Sequence, residues 1–149
     1  MVEAFRTLPI SATDDAIKAL VIEWSELLAE GQFADALAMF PSARDPSVRT
    51  PELLARTIAG YGVPEPYPDG EVFAITPLRS RPDADDIVRN KIRVDRENLY
   101  GLDPARYLGM VHYDDVPPNG ERSDLTARFH IQRVGDGRLT LEFLDIHVM

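Results

Sequence analysis

The alternation of apolar and polar positions is clearest near the end of the chain. Leu125, Ala127, Phe129 and Ile131 alternate with Thr126, Arg128, His130 and Gln132. A period of two puts one set on each face of a half-buried strand. Gly135-Asp136-Gly137 follows, a run that tolerates positive φ and suits a short hairpin turn. The return arm turns Leu139, Leu141 and Phe143 inward, and then the parity slips, with Leu144, Ile146 and Val148 forming the apolar set. Two consecutive inward residues, Phe143 and Leu144, predict a β-bulge, which bends a strand and raises its twist. A curved sheet is the expectation.

Upstream the period changes to that of helices. Ile17, Leu20, Val21, Trp24, Leu27 and Leu28 make one stripe, with Asp15, Lys18, Glu23, Glu26 and Glu30 mostly opposite. Thr13-Asp14-Asp15 supplies a cap and acids for the first turn, and Gly31 a stop. A short second helix over 33–40 carries Phe33, Leu37 and Phe40. Thr50-Pro51-Glu52 opens a third, whose stripe is Leu53, Leu54, Thr57, Ile58 and Tyr61.

Prolines 64, 66 and 68 then enforce an extended loop. Short strands are predicted over 72–78 and over 87–94, where Val88, Ile92 and Val94 alternate with charged residues, and a turn or helical turn over 96–104. In 107–116 both parities are apolar: Tyr107, Val111 and Tyr113 on one, Leu108 and Met110 on the other. A strand of that kind lies centrally or meets a second copy. Helices first and strands after predict one α+β domain over 1–149. Its three N-terminal helices fall within about 13–62, a loop spans 63–71, and a curved antiparallel sheet occupies about 72–149.

Composition removes more than it adds. The chain has no Cys, so disulfides and thiolate chemistry are excluded. No apolar run approaches a membrane span, and the first residues lack a secretory core, so a cytoplasmic protein without membrane contact is expected. The formal charge of −9 repels nucleic acid. The one basic patch, Arg79, Arg81, Arg89, Lys91, Arg93 and Arg96, is interleaved with Asp83, Asp85, Asp86 and Asp95 and reads as a solvated face.

The helix over 14–30, the phrases GQFADALAMF and TPELLARTIAGYG, and the terminal hairpin together resemble the nuclear transport factor 2-like group of folds. That resemblance implies a cone-like sheet around a cavity closed by the helices. Enzymes of the group, such as ketosteroid isomerase and scytalone dehydratase, place Asp, Tyr or His on the cavity side. Here the inward hairpin positions carry no ionisable group. The closing phrase LEFLDIHVM also resembles small bacterial domains, some of them associated with toxin-immunity loci.

The chemistry-bearing candidates are therefore few. His112, Asp114 and Asp115 on the central strand are the catalytic candidates, with His130, Asp145 and His147 on the hairpin. Alternate residues share a face, so His112 with Asp114, or His147 with Asp145, could pair as acid and base. Trp24, Tyr61, Tyr107, Tyr113, Phe129 and Phe143 are the candidates for lining a pocket. Metal-ligand spacing, phosphate-loop patterns and the GxSxG context are all absent, so no metal or cofactor is expected. Three functions stay open. The first is a non-catalytic binding domain, a homodimer through the 107–116 strand, for a small apolar ligand or a protein. The second is a proton-transfer enzyme with an apolar pocket. The third is an acidic immunity-type protein that neutralises a toxin.

Overall fold

The computed structural model describes residues 5–41, 50–59, 74–78, 81–97, 99, 101–114, 125–135 and 137–148; the side chains of His147 and Val148 are not described. The Pro-rich loop, Tyr61, Asp115 and Asp136 lie outside these residues. The fold is α+β, with helices packed on a curled five-stranded antiparallel sheet shaped as a half-barrel.

Helix α1, Asp14–Ala29, begins where Thr13 Oγ1 accepts from the Ala16 N–H at 3.2 Å. Helix α2 is Phe33–Met39, and α3 is Pro51–Ala59, whose first turn is capped by Thr50 Oγ1 accepting from the Leu53 N–H. A fourth helix, α4 (Ala84–Asn90), occupies much of the span where sequence alternation predicts a strand over 87–94. The reason is local. Asp85 and Asp86 favour a helix N-terminus, Asn90 Nδ2 donates to Asp86 Oδ1 one turn back, and the Lys91 N–H closes on the Ile87 carbonyl. The strand β2 is only Ile92–Asp95. Within 74–78 there is a single isolated bridge residue, Ile75, and no strand.

Strand β3 is Tyr107–Tyr113, β4 is Leu125–Val134 and β5 is Arg138–Val148. Ahead of α1 the chain forms a two-residue strand, β1 (Leu8–Pro9), antiparallel to β5. The sheet order is β1-β5-β4-β3-β2. Gly135 and Gly137 take φ of 56° and 72° in the β4–β5 turn.

Curvature comes from two bulges. Arg128 pairs with Asp145 but Phe129 pairs with Phe143, so Leu144 is the extra residue, at the predicted place. In β3, Tyr107 pairs with Gln132 but Gly109 with Ile131, so Leu108 is the extra residue there. Gly109 has φ 152°, and a Cβ on it would sit 2.2 Å from the Asp95 carbonyl oxygen. No side chain fits where β2 passes so close.

The concave face carries Leu125, Ala127, Phe129, Ile131, Leu139, Leu141, Phe143 and Ile146, each at most 1% exposed. Against it pack Ile17, Leu20, Val21, Trp24 and Leu28 of α1, with Phe40, Leu54 and Ile58. Trp24 lies 5.1 Å from both Phe129 and Phe143, edge-on to the former, and Phe40 meets Phe129 at 6.0 Å. Burial of such a ring stabilises by about 1.5–3 kcal/mol. The two ends of the half-barrel are tied as well. Arg96, just past β2, donates to Asp14 Oδ1 and to the Ala12 carbonyl at the start of α1.

Candidate functional site

The residues expected to line a pocket divide in two. Trp24, Phe129 and Phe143 are at most 1% exposed and pack on one another between α1 and the sheet, and Tyr113 is fully buried in the same core. Tyr107 lies on the opposite face. The Leu108 bulge reverses its parity, so Tyr107 does not share a side with Val111 and Tyr113, and its ring meets His130 edge-on at 5.0 Å. Arg106 sits 5.3 Å above the same ring.

The convex face holds the ionisable groups in cross-strand rows. One row runs Arg93 (β2), His112 (β3), Arg128 (β4), Asp145 (β5), and the next runs Asp95, Met110, His130, Glu142. The partners differ from the sequence expectation. Asp114 accepts from Arg93 Nε at 2.6 Å and is not joined to His112. Asp145 accepts from Arg128 Nε and Nη2 at 2.9 and 2.5 Å, a two-pronged pair. His130 Nδ1 lies 3.0 Å from Glu142 Oε1, the geometry of a ring N–H donating to a carboxylate. Burial lowers the His112 pKa from 6.5, and Arg93 and Arg128 on the neighbouring strands lower it further against the opposing pull of Asp114 and Asp95.

His130 and Glu142 have the geometry of a base with its orienting carboxylate. Catalysis also needs a reacting group and a cavity beside it, and the cleft between α1 and α4 lies elsewhere. Among the described residues no group of three His, Asp or Glu side chains could hold a metal ion. No helix among them is long and apolar enough to cross a membrane.

That cleft, of about 550 Å³, opens between α1 and α4. Asp15, Lys18 and Ile22 come from α1 at spacings of three and four, so they share one flank of the helix. Ala84, Asp85, Val88 and Arg89 come from α4, and the 1%-exposed Leu78 closes the floor. Lys18 Nζ donates to the Val88 carbonyl at 2.9 Å and ties the two helices together. Apolar surface therefore lies beneath two carboxylates and two cations. Sequence reasoning did not assemble these residues, because the 87–94 span reads as a strand. One signal was present: Ile22 is apolar and half-buried yet stands off the main α1 stripe, on the side of Asp15 and Lys18.

No protein-family model, curated protein or solved structure matches the chain.

Proposed function

We propose that this domain is a binding protein whose ligand site is the α1–α4 cleft, and that it does not act as a catalyst. The observation that carries this reading is the separation of the cleft from His112, Asp114 and the His130–Glu142 pair. The concave space that an isomerase-like mechanism would use is filled with aromatic side chains. Asp114, Asp145 and His130 lie on the convex face, each already engaged by a partner. The cleft, by contrast, has the composition of a small-molecule site, an apolar floor with a few convergent polar groups.

The domain acts as a single copy in this reading. The second apolar parity of β3 suggests a subunit contact, but Met110 is 7% exposed and so is covered within one chain. The likeness to the nuclear transport factor 2-like group stays one of element order. The inward hairpin positions hold no counterpart of the group's catalytic residues, and the prolines between 63 and 82 depart from its pattern.

Methyl NMR with a library of small amphiphilic molecules tests the site. Binders should shift the Ile22, Leu78 and Val88 methyl signals. Shifts centred on Ile131, Leu141 and Ile146, with the cleft silent, would place the site inside the half-barrel and remove this reading.

A further inference from the structure

We propose that the cleft takes a free α-amino acid with a branched aliphatic side chain. This rests on the reading of the cleft as the ligand site and adds the ligand's chemistry.

Charge is the first argument. Asp15, Asp85 and Arg89 are exposed and make no ion pair among the described residues. Asp85 and Arg89 are four apart on one helix, a spacing at which an acid and a base commonly meet. Lys18 spends one N–H on the Val88 carbonyl and keeps two. The rim thus offers two acceptors of an ammonium group and two donors to a carboxylate, none of them satisfied internally by an opposite charge. A ligand of one sign would face like charges. A molecule carrying both signs engages both kinds of group.

The floor is the second argument. Ile22, Leu78, Ala84 and Val88 are aliphatic, and among the described residues no aromatic ring lines the cleft. Such a surface suits a small branched hydrocarbon group, and each methylene it removes from water contributes about 0.8 kcal/mol. Size is the third. A cleft of about 550 Å³ holds a small molecule. Nucleic acid is disfavoured by the carboxylates on the rim and by the overall charge of −9.

Calorimetric titration with L-leucine, N-acetyl-L-leucine and L-leucinamide tests the proposal. L-Leucine should bind, and capping either end should weaken binding by about tenfold or more. Arg89→Ala should reduce the preference for leucine over leucinamide, leaving only the share that Lys18 supplies. Asp15→Asn combined with Asp85→Asn should remove the preference over the N-acetyl form. These positions are exposed, so unchanged melting will confirm that the variants fold. Equal binding of all three compounds would overturn the charge assignment. If none binds while library compounds still shift the Ile22 and Val88 methyls, the amino-acid proposal fails and the cleft survives. If neither reaches the cleft, both fall.

Discussion

At the scale of single residues, several groups sit in surroundings that make their energetics testable. Ser25 is fully buried on α1, and its hydroxyl has no hydrogen-bond partner among the described residues. An unsatisfied buried hydroxyl costs free energy, and Ala is the better helix former. Ser25→Ala should therefore raise stability, by up to about 1 kcal/mol. Urea denaturation measures it, and a loss of that size would show that the hydroxyl is satisfied. His112 gives a pH dependence. Its folded-state pKa lies below 6.5 because burial, Arg93 and Arg128 disfavour the imidazolium. As pH falls through 6.5 the unfolded chain takes up the proton first, so stability declines and keeps declining until the folded pKa is passed. His112→Gln removes this contribution. Its stability curve should fall less steeply than the parent's just below pH 6.5, and a curve of equal slope would show that the histidine is not disfavoured in the fold.

At the scale of elements, legibility followed the strength of the period. The α1 stripe and the β4–β5 alternation each span many residues and bury one face, so their pattern has one consistent reading. The slip at Phe143 and Leu144 located a bulge because the apolar run itself changes parity. Nothing similar marked Leu108, since both parities there are apolar and a shift of one changes no hydropathy. That is why Tyr107 was assigned to the wrong side. Two-residue β1 is too short to show any period. Residues 87–94 misled because Val88, Ile92 and Val94 alternate by coincidence across a helix end and a strand start. The acids at 85 and 86 carried the helix signal, and they were read only as charge. The cleft was illegible for the same reason, since half its wall belongs to α4. Gly109 shows what the second bulge requires. Gly109→Ala forces a Cβ onto the Asp95 carbonyl and should cost at least about 1–3 kcal/mol. A change below about 0.5 kcal/mol in chemical denaturation, the range of an ordinary surface substitution, would mean that β2 does not approach β3 so closely there.

At the scale of the whole molecule, the concave face of the half-barrel is filled by its own core, and in the proposed reading ligand recognition falls to the outer side of the helices. Helix α1 serves both tasks. Ile17, Leu20, Val21 and Trp24 bury one flank against the sheet, while Asp15, Lys18 and Ile22 face α4. Light scattering after size exclusion should give a single-chain mass at every concentration, because Met110 of β3 is already buried within the chain. A dimer at low concentration would reopen that face as an interface. The most direct measurement uses the absence of cysteine. A single Ala84→Cys substitution places one thiol in the cleft, and Arg133→Cys places one on an exposed β4 position outside it. Each is labelled with a bulky maleimide, and saturation-transfer NMR then reads binding of the amphiphile library. Binding lost in the blocked Ala84→Cys protein and kept in the labelled Arg133→Cys protein is the expected result. Binding retained with the cleft blocked would contradict the account.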